Sequence, residues 1–316
     1  MKDFGVVVPI VTPIEQGGNP DLPGLRLLCQ NMIDAGCSGI FVAGSSGRGP
    51  WFTRDGRKRM LQAVADQLGD QAPLLAGCMA SGLPSMLENA QAAAEDGADM
   101  VVVTVPAYFN YSQAEVERIF EKFADESPLP VVAYDIPDLT RMQLDVDLLV
   151  RLAHHENVIG CKDSTADYNH FQGIMEGICD LPDFYLMQGK EAFLAKSLLA
   201  GASGMVVSLV QIDPLLFVAL YKAARAGDET LALKLQAEIN KLVDLFADSF
   251  ARRPETSTLF HLLHLTLQHR EIDVSLLLGH EGECPSWLAD NARKASEVCL
   301  AARDMYSTSP VDKVLA

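Results

Sequence analysis

The stretch Asn157-Val158-Ile159-Gly160-Cys161-Lys162-Asp163-Ser164-Thr165 is a short apolar run that ends in a lysine. Val158 to Cys161 are too few for a helix and apolar throughout, so they read as a strand buried on both faces. Strands of that kind belong to parallel sheets covered by helices on either side. Lys162 is then carried to the strand end, where burial disfavours an ammonium and favours the nucleophilic amine.

Outward from this stretch the same pattern recurs. Nearly continuous apolar runs at 6–11, 39–43, 74–78, 100–105, 130–135, 158–161, 184–187 and 204–208 alternate with amphipathic stretches. Val116, Ile119, Phe120 and Phe123 show the helical period, with Arg118, Glu121 and Lys122 on the opposite face. Ala35-Gly36, Asp96-Gly97 and Ala200-Gly201 each stand between a helical stretch and a strand, as a left-handed helix cap requires. Eight βα units over residues 1–228 suit a closed (β/α)8 TIM barrel. No G-x-G-x-x-G follows the first strand, which argues against an open dinucleotide-binding sheet. From 229 to 316 the strand pattern stops, and 231–250, 256–268 and 285–305 read as a three-helix appendage packed on the barrel. The breakers are Arg253-Pro254 and the stretch 279–284, and the polar tail 307–316 is expected to be partly mobile.

Composition narrows the function. A formal charge of −17 argues against nucleic acid or an anionic membrane as partner, and leaves a small anion possible only where the site supplies its own donors. Seven scattered cysteines without a C-x-x-C pair fit reduced thiols in a cytoplasmic protein. The first strand begins almost at Met1, leaving no room for a signal peptide, and no apolar run approaches the ~18 residues that span a membrane.

The chemistry of such a barrel sits where its strands end. After the second strand, Gly44-Ser45-Ser46-Gly47-Arg48 offers backbone N–H groups that suit a carboxylate, or else an ordinary turn. After the fourth comes the aromatic segment Pro106-Ala107-Tyr108-Phe109, and after the fifth Tyr134-Asp135-Ile136-Pro137. Neighbouring strands lie ~4.8 Å apart, so Tyr134 faces Lys162 if the registers match, setting a phenol beside an amine; equally, Lys162 reads as a lysine snorkelling to water at the barrel rim and Tyr134 as a barrel-lining aromatic with a satisfied hydroxyl. His261 and His264 share an apolar helix of the appendage, placed away from the barrel mouth, and read as packing. His154-His155 closes a helix, where histidine suits the dipole. No His/Asp/Glu grouping at the strand ends points to a metal, and no cofactor is implied.

Together these strand ends resemble the dihydrodipicolinate synthase and N-acetylneuraminate lyase family of pyruvate-type class I aldolases. The matching segments are Gly44-Ser45-Ser46-Gly47, Pro106-Ala107-Tyr108-Phe109, Tyr134-Asp135-Ile136-Pro137, Gly160-Cys161-Lys162-Asp163-Ser164, Gly189 and Gly201-Ala202-Ser203-Gly204. The resemblance implies a lyase that forms a Schiff base between Lys162 and the C2 ketone of a 2-oxo acid, with Tyr134 moving protons. It also implies a carboxylate held by Ser45 and Ser46, a proton relay through Ser45 and Tyr108, and a substrate cavity that includes Gly44, Gly47, Arg48, Gly189 and Val206. Tyr108 is expected to enter from a neighbouring subunit, which implies a homodimer or homotetramer. Arg48 replaces the family's usual glutamate and is expected either to bind substrate or to pair with a carboxylate such as Asp55. Pro137 is followed by Asp138-Leu139-Thr140, with Arg141 two positions beyond the arginine that synthases use for a second carboxylate. Lys190-Glu191-Ala192 replaces the sialic-acid pattern after Gly189. The favoured substrate is therefore a 2-keto-3-deoxy sugar acid. Dihydrodipicolinate synthesis and Schiff-base dehydration are the enzymatic alternatives, and an inactive 2-oxo acid sensor is the alternative from another class.

Overall fold

The structure, a computed structural model, describes residues 3–277 and 282–307. Eight parallel strands close into a barrel in sequence order. They are β1 (Gly5–Pro9), β2 (Gly39–Val42), β3 (Leu74–Gly77), β4 (Met100–Val103), β5 (Val131–Asp135), β6 (Val158–Asp163), β7 (Tyr185–Gln188) and β8 (Gly204–Val206). The connecting helices are α1 (Leu22–Asp34), α2 (Arg54–Leu68), α3 (Leu83–Glu95), α4 (Gln113–Glu126), α5 (Pro137–Thr140), α6 (Val146–Ala153), α7 (Tyr168–Gly177), α8 (Leu194–Leu199) and α9 (Pro214–Arg225). Then come α10 (Glu229–Arg252), α11 (Thr256–His269) and α12 (Ser286–Ser307). The tail at 308–316 and part of the breaker at 279–284, namely 279–281, lie outside the described residues.

Local chemistry sets the helix limits. Ser112 and Glu115 form a reciprocal capping box that opens α4, on which Val116, Phe120 and Phe123 are buried. Gly36, Gly97 and Gly201 follow α1, α3 and α8 with φ of 88°, 91° and 107°, values open to glycine at little cost. Barrel strands are buried on both sides. Val7, Phe41, Leu75, Val102, Val132, Tyr134, Met187 and Val206 fill the interior, while alternate residues such as Val8, Val42, Val101 and Ala133 join the larger core beneath the helices.

Several strands are shorter than the apolar runs suggest. β2 stops at Val42 because Ala43 turns left-handed, with φ 56°. β8 stops at Val206 and gives way to the 3-10 turn Ser208–Gln211. β6 instead runs beyond Cys161 to Asp163, so Lys162 lies within the strand. Between β5 and β6 the pairing shifts by one residue, from Val131↔Val158 to Val132↔Gly160. That irregularity puts Tyr134 opposite Lys162; an unbroken register would have placed it opposite Cys161, whose side chain points to the other face.

The appendage is not remote from the barrel mouth. The start of α11 and the end of α10 roof the opening, with Thr256, Phe260 and Phe250 over it. The placement expected for the helix of His261 and His264 is thus corrected, although both histidines do pack. His261 Nδ1 lies 3.0 Å from the Ser257 carbonyl oxygen, and His264 Nδ1 lies 2.9 Å from that of Val274. Arg270 reaches back from α11's C-terminal end to the buried carboxylate of Asp213 at 3.4 Å, and the Tyr306 hydroxyl donates to the same group at 3.2 Å, tying the appendage to the barrel.

Candidate active site

Lys162 and Tyr134 lead the site because β6 and β5 end there in register. Both are buried, with 5% and 3% of their surface exposed. The Lys162 Nζ sits 4.0 Å from the centroid of the Tyr134 ring and 5.6 Å from that of Phe41. Aromatic faces attract a cation and shield it from bulk water, so the amine is held at one place. Ser164 Oγ lies 3.5 Å from the Tyr134 hydroxyl and donates to the Gly189 carbonyl oxygen at 3.3 Å, bridging β6 and β7 behind the pair.

The loop after β2 follows from steric demand. Ala43 turns the chain out of the strand, Arg48 N–H donates to Ser45 O at 3.1 Å, and Gly49 N–H donates to Gly44 O at 3.0 Å. A Cβ at position 49 would lie 1.9 Å from Ala43 O, so only glycine permits this wrap. Among the described residues the N–H groups of Ser45 and Ser46 meet no acceptor, as suits a loop that receives a carboxylate. The Ser46 and Ser208 hydroxyls are bonded at 2.5 Å, and Thr12 Oγ1 donates to Gly47 O at 2.8 Å. Beneath the loop, the buried Arg57 guanidinium donates to Gly49 O at 3.2 Å and also to Gly77 O, joining the loop after β2 to the end of β3. Arg57 carries no signal in the sequence, because its position on α2 gives no hint that it turns inward.

Lys162, Tyr134, Ser45, Ser46, Gly189 and Val206 line one cavity of about 640 Å³. Its far wall is polar and irregular. Lys190 pairs with Asp138 at 2.9 Å, and Glu191 accepts the Leu209 N–H at 3.2 Å. Burial pushes the Glu191 carboxyl up, against the Leu209 N–H and the nearby Lys162 and Lys190 charges. A second chamber of about 450 Å³ shares Ser45, Ile136, Leu139, Thr256 and Phe260 with the first, and is largely apolar, with Trp51 and Met79 in its wall. Arg48, at φ 54°, lines this second chamber with its guanidinium 3.4 Å from the Phe260 ring centroid. Contributions from α11 had no sequence signal, since its residues are some hundred positions from Lys162 and meet it only through folding.

Tyr108 stands apart from Lys162 of its own chain, 77% exposed, with its ring against the edge of Phe109 at 5.0 Å. One expectation is corrected. The strand ends do carry a His/Asp/Glu grouping. The donor atoms of Asp135, Asp163 and His170 lie within 4.8 Å of one another, all buried. Strand alternation turns Asp135 and Asp163 away from the cavity, toward α7, where His170 Nε2 lies 3.3 Å from Asp135 Oδ2.

A model of the dihydrodipicolinate synthetase family matches residues 2–268. The chain belongs to that family. Among its relatives, 4-hydroxy-tetrahydrodipicolinate synthase 1 of Streptomyces coelicolor is 32% identical over 237 residues, 74% of this chain and 76% of that one. The putative 2-dehydro-3-deoxy-D-gluconate aldolase YagE of Escherichia coli is 32% identical over 226 residues, 71% of this chain and 75% of that one. The crystal structure of YagE from E. coli K12 in complex with pyruvate superposes with a TM-score of 0.86 at 25% identity, covering 94% of this chain and 98% of that one. Fold and family thus agree with the four strand-end motifs, and the relatives named here are a synthase and a putative aldolase by name.

Proposed function

We propose that the protein is a class I aldolase-type lyase that forms a Schiff base between Lys162 and a 2-oxo acid. The observation that carries this reading is the buried Lys162 amine beside the Tyr134 ring, in the same cavity as the Ser45-Ser46 loop. The Lys162 nitrogen adds to C2 of the ketone, and Tyr134 delivers the proton that lets the carbinolamine oxygen leave as water. In the resulting iminium, the C3–C4 bond breaks with its electron pair flowing to nitrogen. The C4 hydroxyl proton passes to Tyr134 as the aldehyde departs, C3 is reprotonated, and hydrolysis releases pyruvate. Ser45 and Ser46 hold the carboxylate throughout.

A 2-keto-3-deoxy sugar acid is the favoured substrate. Support comes from the name borne by YagE and from the hydroxyl-binding character of Ser164, Ser208 and Glu191 around the cavity. Arg141 lies exposed and outside the cavity lining, while Lys190 is tied to Asp138, which weighs against an aldehyde with a second carboxylate. The exposed Trp51, Tyr108, Phe109 and Leu139 support a homodimer or homotetramer in which Tyr108 of the partner subunit completes the proton relay at the second chamber. Seven free cysteines, five of them buried, suit the reducing cytoplasm.

Borohydride reduction with saturating pyruvate tests the reading. A reduced pyruvyl adduct is expected on Lys162 and not in Lys162→Ala; an unmodified Lys162 would overturn it. Size measurement in solution tests the assembly, and a monomer would remove the role of Tyr108.

A further inference from the structure

The motifs that carry Tyr134 and Lys162 each continue with an aspartate, and neither aspartate faces the cavity. Asp135 and Asp163 pair in register on the outer face of β5 and β6, immediately behind the Tyr134 and Lys162 pair. They are 1% and 2% exposed. His170 of α7, 7% exposed, closes the group from above. Asp135 Oδ2 accepts the Leu144 N–H at 3.2 Å and faces His170 Nε2 at 3.3 Å, while Asp163 Oδ1 accepts the Thr165 N–H at 2.7 Å. Two buried carboxylates so close repel unless a cation or a proton lies between them, and His170 is the only titratable base in that grouping.

We propose, building on the Schiff-base reading, that Asp135, His170 and Asp163 form a charge-sharing clamp behind the barrel wall that holds Tyr134 and Lys162 opposed, making them positioning residues for the reaction. The clamp bridges the point just past the β5–β6 irregularity, where a one-residue slip would turn Lys162 out of the cavity. Its electrostatics support the assignment. Burial pulls the His170 imidazole down, but the Asp135 carboxylate 3.3 Å away and the Asp163 and Asp167 carboxylates outweigh it and leave it raised. Burial pushes Asp163 up to about 6, against the Thr165 N–H and the His170 charge, and Asp135 is raised too, burial outweighing His170 and the Leu144 N–H. Cys161, which shares the outer face of β6 with Asp163, stays a thiol because burial and both aspartates raise it. The group therefore loses the Asp163 carboxylate charge as the pH falls through about 6, while the raised His170 favours an imidazolium beside the two aspartates.

The test is the rate of pyruvate trapping on Lys162 between pH 5 and 8.5, in wild type, Asp163→Asn and His170→Gln, with thermal melts as a control for folding. Asp163→Asn is expected to remove the component of the profile centred near pH 6. His170→Gln keeps a polar side chain but not the charge, so that component should move up by about one pH unit. His170→Ala should slow trapping about tenfold or more at every pH. Profiles and rates within twofold of wild type in folded Asp163→Asn and His170→Gln would overturn the clamp. The His170 imidazole, followed by ¹⁵N NMR, gives a readout independent of turnover. Its midpoint should fall by about one unit in Asp163→Asn, or in Asp135→Asn if the former does not fold, and an unchanged midpoint counts against the clamp. Absence of any wild-type adduct with a shifted midpoint would sink the Schiff-base reading alone. Stoichiometric metal in the purified protein that is lost in His170→Gln would overturn the clamp in favour of a cation site.

Discussion

Gly189→Ala places one methyl group at the seam of the site. The added Cβ would lie 2.1 Å from Ser164 Oγ and 2.7 Å from Asp163 O. Ser164 can rotate away, though it then leaves the Gly189 carbonyl at 3.3 Å and the Tyr134 hydroxyl at 3.5 Å. Asp163 O cannot rotate, because it accepts the Gly189 N–H at 2.7 Å as backbone joining β6 to β7. Relief to ordinary contact means parting the strand ends by roughly 0.7 Å. Overpacking of this kind costs about 1–3 kcal/mol and the weakened hydrogen bond about 1 more, so a loss of about 2–4 kcal/mol is expected. Lys162 is one residue from the displaced carbonyl, and a shift approaching 1 Å slows a positioned reaction by about 10²-fold. Urea unfolding measures the first effect and the rate of pyruvate trapping the second. Gly82→Ala is the control, since its Cβ would meet nothing nearer than Pro84 Cδ at 4.0 Å and its φ of −170° is extended. It should stay within about 0.5 kcal/mol of wild type. If Gly189→Ala matches Gly82→Ala in midpoint and trapping rate, the reasoning about the seam is wrong.

Tyr134→Phe keeps the ring beneath Lys162 and removes the hydroxyl; turnover of the 2-oxo acid should drop about 10²–10⁴-fold while the melting midpoint moves little, and a near-normal rate would remove Tyr134 as proton carrier. Arg57→Met strands the Gly49 and Gly77 carbonyls, so it should destabilise by about 2–4 kcal/mol and raise the pyruvate KM; unfolding and saturation curves check it, with unchanged KM counting against a loop-positioning role. Asp163, pushed from an ordinary 3.8 to about 6, contributes stability that is fully present below about pH 4 and lost as the pH rises through about 6. Wild type should therefore weaken by about 2–3 kcal/mol relative to Asp163→Asn across that window in urea titrations, and a flat difference would show that Asp163 ionises freely.

Fold class was legible because parallel strands covered on both faces must be apolar throughout, and Gly36, Gly97 and Gly201 mark the turns between helix and strand. The candidate nucleophile was legible for a related reason: a lysine closing the run Val158–Cys161 has few solvated positions open to it. Arg57 and His170 were not legible. Each sits on a helix whose sequence pattern looks like ordinary packing, and their roles arise from partners far along the chain. Tyr108 shows the opposite case: its motif is plain in the sequence, yet within one chain its ring stands in solvent.

By itself the sequence determined the order of strands and the residue types at their ends, because hydrophobic period and turn chemistry are local. Only the tertiary structure decided that Tyr134 meets Lys162. A single-residue shift after Val131 sets which face each side chain takes, and side chains alternate along a strand. Such a shift depends on how β5, β6 and β7 pack together, with Gly160 allowing close approach to the Tyr185 carbonyl, and no local stretch of sequence encodes it.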